Sequence, residues 1–228
     1  MSQERSVIKL KRDLTDLLMQ DDFGKVMERL PEFPAKKTIN ALVSFLCHLN
    51  DLVRWRSITA LGMMVSRLSE EQPEESRILM RRFMWMLNEE SGGIGWGVPE
   101  TMGEIIARSP VLGIEFNRIL VSYLDENGNY LDHDPLRQGA LWGIARVSET
   151  KPELMIDSVC FTRPYLDSDN AVNRGLACII ADFLRDRDAV DRLNHLTMDK
   201  TEITLYKEGY FNRCTISDLA GKALNRLS

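Results

Sequence analysis

The feature that most constrains this chain is a recurrence. Over residues 80–105 an apolar helical run, M-R-R-F-M-W-M-L, passes into a glycine-rich turn, S-G-G-I-G-W-G, and restarts after Pro99; the same plan returns on either side. Small residues mark it. Gly62, Gly103, Ala145, Ala181 and Gly221 each close a segment of similar shape: V-R-W-R-S-I-T-A-L-G, I-G-W-G-V-P-E-T-M-G, L-R-Q-G-A-L-W-G-I-A, V-N-R-G-L-A-C-I-I-A and N-R-C-T-I-S-D-L-A-G. Successive marks lie 41, 42, 36 and 40 residues apart (62 to 103, 103 to 145, 145 to 181, 181 to 221). A helix pair of that length leaves an apolar face uncovered when alone, so units at this period bury their cores only by stacking on one another.

The fold expected is therefore all-α: a right-handed solenoid of about five helix pairs over residues 35–228. Residues 1–34 should cap it, because two short amphipathic runs there (6–19 and 23–30) end at Pro31 and Pro34, and the whole should form one domain, 1–228. First helices are expected at 35–49, 74–87, 112–124, 152–161 and 188–196, each followed by one of the five marked segments. One stretch departs from the plan. T-E-I-T-L-Y-K-E-G-Y-F, residues 201–211, alternates apolar and polar side chains around Lys207-Glu208-Gly209, the pattern of a short hairpin or an ordered loop.

The segment opened by Asp51 and running V-R-W-R-S-I-T-A-L-G resembles the second helix of a HEAT-like repeat of the phycobilisome-lyase type, where an acidic residue opens the turn, Val-Arg follows, and Ala-Leu-Gly lets helices approach. The arginine equivalent to Arg54 recurs as Arg137 and Arg213 but is Gly95 and Asn173 in the other two segments; the acidic residue recurs as Asp134 and Asp169. The resemblance implies that second helices line a concave groove. Positions one, two, five and nine after the arginine should then form rows along it: Trp55, Trp96, Gln138, Arg174 and Cys214; Arg56, Gly97, Gly139, Gly175 and Thr215; Thr59, Glu100, Trp142, Cys178 and Asp218; Met63, Glu104, Arg146, Asp182 and Lys222.

Three successive glycines in one row mark a close approach, of helix to helix or of something bound, because glycine inside a helix costs roughly 0.5 to 1 kcal/mol against alanine. The last row alternates in sign, which fits a ladder of solvated ion pairs. Trp55, Trp96 and Trp142 are either binding anchors or side chains partly buried between repeats. The candidate binding residues are Trp55, Trp96, Glu100, Glu104, Gln138, Trp142, Arg146 and Arg174. Glu100 and Glu104, one helical turn apart, suit a partner carrying a basic segment.

Chemistry is harder to place. The turn 91–97 precedes a helix and could offer N–H groups to an anion, but Glu89, Glu90, Glu100 and Glu104 crowd it and no lysine follows as a nucleotide loop requires. Asp132-His133-Asp134 has metal-ligand types, although Asp134 before Pro135 reads as a helix cap. HEAT-repeat hydroxylases of the deoxyhypusine kind use His-Glu dipeptides, and the chain has none. A groove enzyme or small-ligand binder, lyase-like or glycosylase-like, centred on Trp96, Glu100 and Trp142 is the alternative to a protein-binding scaffold; His48, His133 and His195 are too scattered to propose a triad.

A net charge of −5 argues against a broad phosphate-binding face, so nucleic acid is not the expected partner. The N-terminus lacks the apolar core of a signal peptide and no window reaches a membrane span. The expectation is a cytoplasmic protein-interaction scaffold with no cofactor. Cys47, Cys160, Cys178 and Cys214 form no C-x-x-C pair and read as reduced core or groove residues.

Overall fold

A computed structural model describes residues 2–88 and 95–227, and the side chains of 6–88 and 95–227. Twelve α-helices and one β-hairpin are present among them. Helices α1 (Ser2–Leu18) and α2 (Phe23–Arg29) come first, at the place expected of an N-terminal cap, and α1 packs against α3 and α4. Five helix pairs follow: α3 (Ala35–Phe45) with α4 (Asp51–Glu71), α5 (Pro73–Leu87) with α6 (Val98–Arg108), and α7 (Pro110–Ser122) with α8 (Asp134–Thr150). The fourth pairs a broken segment around α9 (Val159–Thr162) with α10 (Ala171–Leu184), and the fifth pairs α11 (Val190–Leu196) with α12 (Ile216–Leu227). The chain is an all-α superhelix with one insertion. Strands β1 (Glu202–Lys207) and β2 (Tyr210–Thr215) form an antiparallel hairpin inside the last pair.

Local chemistry sets the boundaries. Asn50 accepts from the N–H groups of Leu52 (2.9 Å) and Val53 (3.2 Å) at the start of α4, and Asn170 accepts from Val172 (2.9 Å) and Asn173 (3.4 Å) at the start of α10. Such caps supply acceptors for N–H groups that a helix start leaves orphaned. Asp134 is the first residue of α8 rather than its cap, which falls on His133. In the fourth pair the expected first helix, 152–161, breaks into short 3-10 turns (Pro152–Leu154, Ile156–Ser158 and Arg163–Asp167) around α9. Pro152 and Pro164 remove backbone donors there and disfavour helix in the residues before them.

The second helices α4, α6, α8, α10 and α12 stack in sequence order. Their small residues permit it. A Cβ on Gly103 would stand 2.3 Å from Cα of Gly143 on the next helix, and one on Gly62 would stand 2.9 Å from Cβ of Glu104. Gly221 on α12, the last of the stack, would have nothing within 4 Å of a Cβ. One apolar core runs from Leu14 through Leu184 and takes in Tyr206 of the hairpin; a second, smaller one lies beneath α10, α11 and α12. No helix among the described residues is long and apolar enough to cross a membrane.

Candidate functional site

The hairpin decides what the inner face of the stack can do. Its two-residue turn has both central residues left-handed, Glu208 at φ 49° and Gly209 at φ 94°, a geometry matched to the twist of paired strands. Gly209 is doubly required, since a Cβ there would lie 2.2 Å from the ring of Phe23. The tip thus rests on the N-terminal cap, more than 180 residues away in sequence: Tyr210 Oη donates to the Asp21 carbonyl (3.0 Å) and accepts from the Phe23 N–H (3.2 Å).

Arg56 locks that contact. Only 2% exposed, it donates through Nε to the Gly209 carbonyl (2.9 Å) and through Nη1 to the carbonyls of Leu18 (2.7 Å) and Gln20 (2.6 Å). Its guanidinium also lies 4.9 Å from the Phe23 ring centre and 5.5 Å from that of Tyr210. The buried charge is held by carbonyl dipoles and aromatic faces in place of a carboxylate. Further along, Tyr206 stacks on Trp55 (5.1 Å, 22°) and shares a hydrogen bond with Thr59 (3.0 Å), Lys207 pairs with Glu149 of α8, and Ile203 fills the space left by Gly175 of α10. The hairpin therefore lies across the second helices α4, α8 and α10 and ties the last pair to the first.

This changes the setting of the predicted groove residues. Trp55 is half-buried and packs against Trp142 (ring centres 5.0 Å) as well as Tyr206, while Trp142 is 7% exposed, so neither stands free as an anchor. Trp96 is half-buried, edge-on to His133 at 5.3 Å. Gln138 donates to Asn173 (2.9 Å); Arg174 pairs with Asp199 (2.7 Å) and donates to the carbonyls of Ser168 and Asp169. The expected solvated ladder is instead internal and broken. Glu104, 3% exposed, takes Arg146 (3.1 Å) and Arg108 (3.0 Å), whereas Asp182 pairs with Arg226 (2.9 Å).

Glu100 has no comparable partner. Its carboxylate fits against Gly139, where a Cβ would stand 2.6 Å from Oε2, and that oxygen is sealed from solvent with no hydrogen-bond partner among the described residues. Burial pushes its pKa up to about 7 against the field of Arg54. The row of glycines thus has three separate causes: Gly97 caps α6 with φ 70° beneath Leu46, Gly139 admits Glu100, and Gly175 admits Ile203. Of the three residues of the alternative centre, Trp96 packs on His133, Glu100 on Gly139 and Trp142 on Trp55, and Trp142 also lines a cleft with the hairpin. Asp134 is ion-paired with Arg137. The proposed anion turn lies largely outside the described residues, at 89–94. Among the cysteines, Cys178 is buried and Cys214 half-buried as expected of core or groove residues, but Cys47 and Cys160 are exposed; all four are free thiols.

A cleft of about 430 Å³ lies between the hairpin and helices α8, α10 and α12. Its floor is apolar, from Trp142, Leu176, Ile179, Leu205 and Leu219, and its rim is charged, from Arg146, Glu149, Arg213, Lys222 and Arg226. Of the sequence candidates, Trp142, Arg146 and Glu104 line it. Cys214 of β2 stood in a predicted groove row, whereas the other hairpin residues and Ile179, Phe183 and Arg226 were missed. Period-two alternation over 201–211 flagged the hairpin, but nothing local says where a hairpin docks.

No protein-family model matches the chain, and no curated protein matches it. Solved structures do. A designed armadillo repeat protein is similar at 13% identity over 95% of this chain and 99% of its own, with a TM-score of 0.51. A designed armadillo repeat protein in complex with the peptide (KR)4 is similar at 14% identity over 95% and 98%, TM-score 0.51. An engineered protein is similar at 14% identity over 95% and 96%, TM-score 0.51. At such identities the likeness speaks to fold alone: a helical-repeat solenoid.

Proposed function

We propose that the chain is a protein-interaction scaffold, of the HEAT-like kind that its register resembles and cytoplasmic, which holds a segment of a partner in the cleft between the hairpin and α8, α10 and α12. The observation that carries this reading is the cleft itself: an apolar floor with a charged rim, bounded by the hairpin on one side and by three second helices on the other. Such a floor receives an apolar anchor while the rim fixes direction. That a designed armadillo repeat protein of similar fold is found in complex with a peptide, (KR)4, supports a peptide segment as the class of partner. The basic segment expected against Glu100 and Glu104 finds no free carboxylate there, since Glu104 already holds two arginines and Glu100 is turned into Gly139.

Site-specific photo-crosslinking tests the reading. A benzoylphenylalanine at position 179, in the cleft, should join one partner segment, and the same group at the exposed Ile114 of α7 should not. Equal crosslinking at both positions would sink it.

A further inference from the structure

If the cleft is the partner site, its charges bear on the composition of the segment that it holds. Five cations line it, Arg146, Lys207, Arg213, Lys222 and Arg226, against four carboxylates, Glu104, Glu149, Asp182 and Glu208. The chain as a whole has the opposite balance, with a net charge of −5. Three of the four carboxylates are already neutralised within the lining: Glu104 by Arg146, Glu149 by Arg146 and Lys207, and Asp182 by Arg226. Burial raises the pKa of Asp182, while the charges of Arg226 and Lys222 lower it.

The charges left over are separated. Arg213 of β2 and Lys222 of α12 are exposed and make no ion pair or side-chain hydrogen bond among the described residues. Glu208, the remaining carboxylate, sits in the hairpin turn, whereas Arg213 pairs across the hairpin with Thr204. Four residues of strand at about 3.4 Å each put roughly 14 Å between the two ends. One end of the cleft therefore carries two exposed cations, Arg213 and Lys222, beside an apolar floor, with Asp182 in the field of Lys222 and Asp218 acting at Cys214 from the same helix as Lys222.

We propose that the partner segment is acidic, a proposal that rests on the cleft being the partner site: a large apolar side chain lies on Leu176, Ile179 and Leu205, and a neighbouring aspartate or glutamate meets Arg213 and Lys222. Charge complementarity at an exposed rim sets register and association rate and is screened by salt, so the proposal fixes both composition and salt dependence.

Selection of random octapeptides displayed on phage against the purified full chain tests it, with affinities of the winners read by fluorescence anisotropy. The parent should enrich sequences with Asp or Glu near a large apolar residue. Their binding should fall at least tenfold in the Arg213→Glu, Lys222→Glu double variant, in Ile179→Trp, which fills the cleft without adding charge, and on raising salt from 50 to 500 mM. Circular dichroism and melting confirm that each variant is folded. Enrichment of Lys- and Arg-rich peptides that still lose binding in Ile179→Trp overturns the acidic partner while leaving the scaffold reading in place. Acidic winners indifferent to the charge reversal likewise overturn it. No enrichment, or winners indifferent to Ile179→Trp, overturns the cleft as the site and both readings with it.

Discussion

Replacing Glu100 by glutamine should make the protein more stable at alkaline pH and change little in acid. Glu100 is half-buried, with Oε2 sealed against Gly139 and unpartnered among the described residues, and its pKa rises from 4.5 to about 7. A raised carboxyl pKa means that the folded state binds its proton more tightly than the unfolded state. Stability is therefore full below about pH 4.5, declines as pH rises toward 7, and levels off at a penalty above it. A carboxyl pKa raised from 4.5 to about 7 corresponds to about 3 kcal/mol. Glutamine keeps the shape without the charge, so this slope disappears. Urea denaturation of parent and Glu100→Gln at pH 5 and pH 8, extrapolated to water, reads the difference. The variant's advantage should grow by about 2 kcal/mol between the two pH values, part of the penalty being present already at pH 5. A difference constant within about 0.5 kcal/mol would show that the carboxyl is hydrated or paired, and the inference from its burial would fail.

The packing sets further expectations. Gly103→Ala should lower the melting temperature, at a cost of roughly 1 to 3 kcal/mol, because its Cβ meets the backbone of Gly143; Gly221→Ala, facing open space, should be neutral or stabilising. Trp142→Ala should destabilise by roughly 3 kcal/mol or more, since the ring is buried against Trp55, whereas the half-buried Trp96→Ala should cost less in the same melt. Arg56→Met leaves the carbonyls of Leu18, Gln20 and Gly209 without their donor, and should destabilise by about 3 kcal/mol and speed amide exchange at the hairpin tip more than in α8.

The elements legible in the sequence are those whose determinants are local. Periodicity placed the second helices, and the small residues placed their contacts: Gly103 touches Gly143, as a register of close approaches requires. The hairpin was legible as a pattern over 201–211, although it extends to Thr215. Its docking was not. Arg56 reaches Gly209 across 153 residues and Phe23 reaches Tyr210 across 187, and no spacing rule connects positions so distant. That one long-range event reassigns the groove, burying Arg56 and Thr59 and setting Tyr206 beside Trp55. A helical register gives the face on which a side chain lies, but whether water or another part of the chain covers that face is a tertiary fact.

Hydrogen exchange of the purified chain with and without its partner segment tests the central claim most directly. Binding in the cleft should slow exchange at residues 205–214 of the hairpin and along the facing parts of α8, α10 and α12, and leave α5 and α7 unchanged. Protection confined to α5 and α7, with the hairpin exchanging as before, would contradict the account.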